Sequence, residues 1–374
     1  MRDATPTMEK QRLLSLDFFR GVTVIAMIMV NNPGNGDHVY SILEHSLWNG
    51  CTPADLIFPF FLFIMGVCIP YAIGRKKETV SQGKLMLQTT RRSLILFSLG
   101  IFLSLFPAFD LSTVRIPGIL SKIGVVYFFC VWIYLRNTPG WQLWIFNFLL
   151  LIYYFLMILV PVPGVGYPNT NPGTNLATWI DRLVITDAHL YKPYSPYNPA
   201  ELLTTLTAIA TGISGMITGS WLMRKDRTGN QKVAWLAIAG VVLIGAGLTW
   251  GMFFPVNKLL WTSSFVLYSS GWAMIGLAVS YWVIDVLGYK RLVKPFVVFG
   301  VNAISVFFLS ILLKKIARMI HVRGNGNGWD YVYQNFFEPF FNPNTASFVF
   351  ATMMVAVWMM VLWWMYNKRI IVKI

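Results

Sequence analysis

The chain has 374 residues, 56% hydrophobic and 16% aromatic, with a mean hydropathy of +0.59. A soluble domain is roughly 45–50% apolar, so this composition excludes an ordinary soluble globule and points to a polytopic membrane protein. The net charge of +15 raises nucleic acid as a partner, but its lysines and arginines alternate between rich and poor connections instead of forming one patch, and that pattern reports membrane topology.

A bilayer core about 30 Å thick needs roughly 20 mostly apolar residues per helical span. Ten segments qualify, near 14–30, 54–74, 93–106, 119–135, 141–160, 202–223, 233–250, 265–286, 293–313 and 346–366. They are long and continuously apolar, unlike the short alternating strands of a barrel, and a helix satisfies its own backbone in lipid. The predicted fold class is therefore all-α, a single transmembrane domain over residues 1–374 with about ten helices. Placing these spans puts 20 lysines and arginines on one side and eight on the other, although the second side has the longer loops. By the positive-inside rule both termini are expected in the cytoplasm, in a multi-pass protein of the cell (inner) membrane. The first apolar run is interrupted by Asp17 and Arg20 and lacks a small-residue cleavage site, so it reads as span 1 and not as a signal peptide.

Asp17 and Arg20 lie three residues apart on one face of span 1. Their cost within an apolar segment favours an interior pairing or a ligand contact, and a cytoplasmic-end ion pair with a snorkelling arginine is the plainer alternative. The span ends at Asn31, where the most polar stretch of the chain begins. Asn31, Asn32, Asp37, His38, Glu44, His45, Asn49 and Asp55 fall within 25 residues, in a chain only 12% charged with four histidines. His45 is the leading catalytic candidate, because a neutral imidazole beside carboxylates takes a proton near physiological pH; a solvated loop histidine is the plainer alternative. In TPAD, Thr52 reads as an N-cap, Pro53 as a first-turn residue and Asp55 as a carboxylate favoured by the helix dipole. Asp55 at such a helix start could also orient His45 or bind a substrate hydroxyl.

Farther along, Lys122 in GILSKIG is expected to face the bundle interior. The outer loop from 161 to 201 is turn-rich at PVPGVGYPNTNPGTN, with a short amphipathic helix expected in NLATWIDRLVI. PVNKLLWTSSF brings Asn257, Lys258, Thr262, Ser263 and Ser264 to the outer end of span 8, as helix-bonding hydroxyls or as substrate contacts. Asn302 is a second interior polar residue, and a second outer excursion is expected over 314–345. Cys51, Cys68 and Cys130 form no ligand cluster and read as packing residues. No metal is expected. No P-loop, GxGxxG, HExxH or GxSxG motif stands in a suitable context.

LSLDFFRGVTVIAMIMVNNPG, followed by EHSLWNGCTPADLIFPFFLFIMGV, resembles the heparan-α-glucosaminide N-acetyltransferase family and its bacterial homologues of the DUF5009 type. RIPGILSKIGVVYF, DRLVITDAHLY, NPAELLTTLTAIATGISG, NKLLWTSSFVL and GVNAIS extend the likeness over nearly the whole chain. The resemblance implies a transmembrane acyltransferase that uses cytosolic acetyl-CoA to acetylate the amine of a terminal glucosamine across the membrane. It places the catalytic histidine at His45, the asparagine ending the first core span at Asn31, the ADL aspartate at Asp55 and the LDFFRG pair at Asp17 and Arg20. The chain departs from the family pattern at Cys51, where an apolar residue is expected, and at SKIG, where an arginine-containing motif is expected.

The resulting expectation is catalysis by His45, Asn31 and Asp55, with substrate contacts from Asp17, Arg20, Asn49, Asn257 and Lys258. Direct transfer and an acetyl-histidine intermediate are both open. Acetyl-CoA, a glucosamine or glucosaminide and membrane lipid are the expected partners, nucleic acid is not, and a homodimer is left open. An amino-sugar transporter without acyl transfer is the alternative class, because interior polar groups in a ten-span bundle fit that description as well.

Overall fold

The computed structural model describes residues 13–74, 76–116, 118–191, 195–322 and 326–372. The basic residues Arg2, Lys10, Arg12, Arg75, Lys192, Arg323 and Lys373, used above to orient the chain, lie outside them. The described residues are helical and contain no strand, only isolated bridges. In chain order the helices are α1 (Leu14–Asn31), α2 (Ile57–Ile73), α3 (Lys76–Thr79), α4 (Gln82–Leu105), α5 (Ile119–Arg136), α6 (Pro139–Leu159) and α7 (Leu176–Val184). They continue with α8 (Thr204–Leu222), α9 (Gly229–Gly251), α10 (Ser263–Tyr281), α11 (Val293–Val301), α12 (Ala303–Met319), α13 (Gly328–Phe336) and α14 (Pro343–Asn367).

Each of the ten expected spans coincides with a long helix or with the α11–α12 pair. Among the described residues seven helices are long and apolar enough to cross a membrane, and the pair is an eighth if counted as one span bent by 75°. The two expected spans that fall short are α4 and α8, each for a legible reason. The first half of α4 carries Lys84, Arg91 and Arg92. Helix α8 is rich in threonine, serine and glycine, and most of it is buried. Small and hydroxyl residues suit contact between helices better than contact with lipid.

Helix α8 sits at the centre of one core, against α2, α5, α6 and α10. A Cβ on Gly66 of α2 would collide with the carbonyl oxygen of Gly212, and one on Gly215 of α8 with that of Phe63, so glycine on both sides lets the backbones touch. A second core joins α1 to α12, α13 and α14. The bundle thus gathers the loops after α1, α6 and α9 at one end. Gly50 N–H donates to Val256 O (2.8 Å), Ala200 N–H to Leu259 O (2.9 Å) and the Trp48 indole to Thr170 O (2.9 Å).

Two expected details change. Helix α12 runs to Met319, so Lys314 and Lys315 stand on a helix and not in a loop. Lys314 Nζ donates to Asn31 O (2.7 Å), and Lys315 Nζ to Leu103 O and Phe106 O (both 2.6 Å). They satisfy carbonyls that α1 and α4 leave free at their C-termini. Cys51, Cys68 and Cys130 pack against the cores as expected, and the Cys68 thiol additionally lies 2.8 Å from Arg20 Nη2, a polar contact that was not expected. The short helix expected in NLATWIDRLVI forms as α7, capped by the Asn175 side chain on Thr178 N.

Candidate functional site

The site forms where α2 begins. Pro53–Leu56 make a 3-10 turn that leads into α2, and Thr52 and Asp55 form a capping box there. This is the helix start read from TPAD, and it also fixes the Asp55 carboxylate. Oδ2 accepts from Ser46 N (3.1 Å), Ser46 Oγ (2.8 Å), Thr52 N (3.0 Å) and Thr52 Oγ1 (3.2 Å). Four donors hold one oxygen, and the other oxygen is aimed at His45. Neither Ser46 nor Thr52 was singled out as a site residue from the sequence, although Thr52 was read as the cap.

His45 Nδ1 lies 2.9 Å from Asp55 Oδ1. The imidazole side chain is 47% exposed and the carboxylate 1%. Asp55 therefore grips one nitrogen of a half-exposed ring from inside the protein. A histidine held this way can donate Nδ1–H to the carboxylate and keep an Nε2 lone pair for an incoming proton.

Lys258 arrives from the α9–α10 connection. Its Nζ lies 3.1 Å from His45 Nδ1 and 3.2 Å from Asp55 Oδ1, and its side chain is 17% exposed. Burial pushes the ammonium below the ordinary lysine range, with the Asp55 charge pulling it back up. Cys51 stands beside the pair, its thiol pushed up to about 12 by burial and by the Asp55 carboxylate. It is a neutral thiol at physiological pH.

Asn257 and Asn49 complete the floor. Asn257 Nδ2 donates to Asn49 Oδ1 (3.2 Å), while Asn257 Oδ1 accepts from Leu260 N (2.8 Å). Thr262 caps α10, Ser264 bonds Phe254 O and Ser263 bonds Leu150 O. These hydroxyls hold backbone together. Of the expected site residues, the structure thus joins His45, Asp55 and Lys258 directly, with Asn49 and Asn257 as a neighbouring pair.

Asn31 ends α1 and presents its main-chain carbonyl to Lys314; no hydrogen bond joins its side chain to His45 or Asp55 among the described residues. Asp17 and Arg20 lie near the opposite end of α1, about 20 Å along the helix axis from Asn31 at 1.5 Å per residue. Arg20 Nη1 pairs with Asp17 Oδ1 (3.0 Å) and bonds Gly300 O (3.3 Å). The interior ion pair allowed by the sequence is present, remote from His45.

A buried charged cluster was missed as a unit. Glu201 Oε1 takes Arg115 Nη2 at 2.7 Å, and its Oε2 lies 3.6 Å from Lys122 Nζ. Lys122 also donates to Thr204 Oγ1 (2.7 Å) and lies over the Trp261 ring. Sequence marked Lys122 as interior, but its partner is about eighty residues away and no local pattern links them.

These features define a multi-pass membrane protein with a partly open histidine, oriented by a buried carboxylate, at one end of its bundle. Among the described residues no three His, Cys, Asp or Glu side chains converge as a metal site. The family model DUF5009, described as a domain of unknown function, matches residues 12–142, which include Asp17, Arg20, Asn31, His45, Asn49 and Asp55. The chain is 34% identical to heparan-alpha-glucosaminide N-acetyltransferase of Homo sapiens over 354 residues, covering 79% of this chain and 52% of that protein. It is 33% identical to the Mus musculus protein of the same name over 353 residues, covering 79% and 53%. The resemblance carried by the LDFFRG and EHSLWNG motifs is therefore borne out, and the chain is a relative of these acetyltransferases. It spans about half the length of the curated relatives it matches.

Proposed function

We propose that the protein is a membrane acetyltransferase that moves an acetyl group from acetyl-CoA to the amine of a glucosamine or a terminal glucosaminide. The observation that carries this reading is the His45–Asp55 pair, with a buried carboxylate on Nδ1 of a half-exposed imidazole. Its relatives are named for N-acetyl transfer to a glucosaminide.

In the proposed reaction the acceptor nitrogen attacks the thioester carbonyl and the carbon–sulfur bond breaks. His45 Nε2 takes the proton released by the amine and returns it to the departing thiolate. Asp55 orients the ring. Asn31 is the proposed donor to the developing oxyanion, and Asn49 and Asn257 are the proposed acceptor contacts. Asp17 and Arg20 would meet the donor nearer the other end of α1. The chain would cross the cell membrane ten times with both termini in the cytoplasm, so that donor and acceptor enter from opposite ends.

The test uses liposomes carrying the full chain, with labelled acetyl-CoA on the cytoplasmic side and glucosamine or glucosaminides on the other. Wild type should form N-acetylated sugar and His45→Ala should lose at least about 100-fold of that rate. Movement of unmodified sugar without acetylation would instead support the transporter class. Full acetylation by His45→Ala would remove His45 from the chemistry.

A further inference from the structure

His45, Asp55 and Lys258 form a triangle whose sides are 2.9, 3.1 and 3.2 Å. Its corners are each about 60°, and this limits the protons it can hold, because a hydrogen bond weakens steeply away from linearity. Nδ1 has one in-plane position, which is either an N–H or a lone pair. If it is a lone pair, it faces the Asp55 Oδ1 lone pairs at 2.9 Å, and the Lys258 ammonium must serve two acceptors about 60° apart with hydrogens set at tetrahedral angles. If it is an N–H, Oδ1 receives one bond from His45 and one from Lys258, both charge-assisted, and the 3.1 Å approach of Nζ to Nδ1 is a contact between two donors that share this oxygen. Oδ2 cannot relieve the arrangement, because its four donors from Ser46 and Thr52 are already in place.

We propose that Lys258 is a positioning residue that holds His45 as the neutral Nδ1–H tautomer, leaving the Nε2 lone pair free to act as the base. The inference rests on the reading of His45 as the base. Asp55 alone would fix the ring but would equally stabilise a doubly protonated imidazolium, which cannot accept a proton. The ammonium beside Nδ1 offsets that carboxylate charge and opposes the second proton.

The ionisable groups facing Lys258 are Asp55, His45 and the Cys51 thiol; Asn49 and Asn257 nearby are neutral. Because the thiol stays protonated, it does not draw the ammonium away from the pair. This assignment also differs from a sugar contact. Nζ is already committed to the Asp55 oxygen that orients the ring and stands beside Nδ1, so its removal should alter proton uptake before it alters acceptor binding.

The test needs no substrate at first. The full chain, 15N-labelled at its histidines and held in lipid nanodiscs, is examined by NMR near neutral pH, with the His45 signals assigned by their loss in His45→Gln. Wild type should show one protonated and one bare ring nitrogen, the bare one being Nε2. Lys258→Met should show both nitrogens protonated at the same pH, and Lys258→Arg should keep the wild-type pattern. A bare Nδ1 in wild type would overturn the proposal whatever the variants do, and so would an unchanged Lys258→Met spectrum.

Kinetics supply the second arm. Acetylation by Lys258→Met should lose about tenfold or more at about pH 6 and recover towards wild type at about pH 8.5, with kcat changing more than KM. A loss in KM alone, equal at both pH values, would make Lys258 an acceptor contact and overturn the proposal. Absence of acetylation in wild type would fail the acetyltransferase reading and leave the tautomer result standing by itself.

Discussion

Asp55→Asn is a sharp test of the site, because it changes one atom and inverts a hydrogen bond. Asparagine offers one oxygen and one amide nitrogen where the carboxylate has two oxygens. The Ser46 and Thr52 backbone N–H groups at 3.1 and 3.0 Å are fixed donors, so the oxygen must stay on their side. The NH2 then faces His45 Nδ1 and donates where the carboxylate accepted. The ring must answer with a lone pair at Nδ1 and a hydrogen at Nε2, and that nitrogen loses its capacity to take a proton. A positioned general base contributes about 10²–10⁴-fold, so acetyl transfer should fall by at least about 100-fold. Stability should fall too, since Lys258 loses its carboxylate. Breaking a fully buried pair costs about 3–5 kcal/mol, and with Lys258 17% exposed a loss of about 2 kcal/mol is the better figure. Asp55→Ala separates the two effects. It leaves two backbone donors unsatisfied, costing about 1–3 kcal/mol each, but frees the ring to choose its tautomer. The assay is labelled acetyl transfer to glucosamine in liposomes, with thermal unfolding in parallel. Per folded molecule, Asp55→Asn should be slower than Asp55→Ala; an Asp55→Asn rate within about threefold of wild type would refute the orientation argument.

Two further outcomes concern the frame around the site. Glu201→Gln leaves the buried Lys122 and the partly exposed Arg115 without their shared counter-charge and should cost about 3 kcal/mol in thermal unfolding, part of it regained when Lys122→Met is added. Asp181 on α7 is held up at about 6, from 3.8, because burial outweighs the two backbone donors, Glu201 N and Leu202 N, that favour its charged form. The folded state then binds this proton more tightly than the unfolded state, so its contribution is fully present below about pH 4 and is lost as pH rises through about 6. Thermal stability should drop by up to about 3 kcal/mol over that range. Asp181→Asn should flatten the slope; an unchanged slope in the variant would assign it to another group.

The sequence made the elements of the fold legible where one segment carried its own signal. Long apolar runs marked the helices, and TPAD marked the start of α2 down to the Thr52–Asp55 box. His45 and Asp55 were legible as a pair because ten residues and one helix start separate them. Lys258 was visible only as a polar residue near a span end; that it reaches Nδ1 depends on packing across more than two hundred residues. The same limit hid Lys122 and Glu201. Helix α8 shows the converse case, since the threonines, serines and glycines that lower its hydropathy are the residues that let it occupy the centre. Hydropathy measures affinity for lipid, whereas a central helix meets mostly protein.

The placement of Lys258 explains why a two-residue dyad needs so much of the bundle. Lys258 stands on a connection with no regular structure of its own between Met252 and Thr262, so its position must be imposed from outside. Val256 O is tied to Gly50 N, five residues after His45, which couples this connection to the loop that bears His45. On the other side Leu259 O accepts from Ala200 N, and Ala200 O in turn faces Lys122 Nζ at 3.4 Å. Trp261 continues the hold through its indole bond to Thr211 Oγ1 (3.1 Å) and its ring beneath Lys122. The Glu201 cluster is thus the far anchor of the strap that carries Lys258. Among the described residues no hydrogen bond or ion pair joins Glu201 to the imidazole, so a perturbation at Glu201 reaches His45 through that strap, and Glu201→Gln should move Lys258 before it moves Asp55. The capping box, which depends only on residues 44–55, would remain formed.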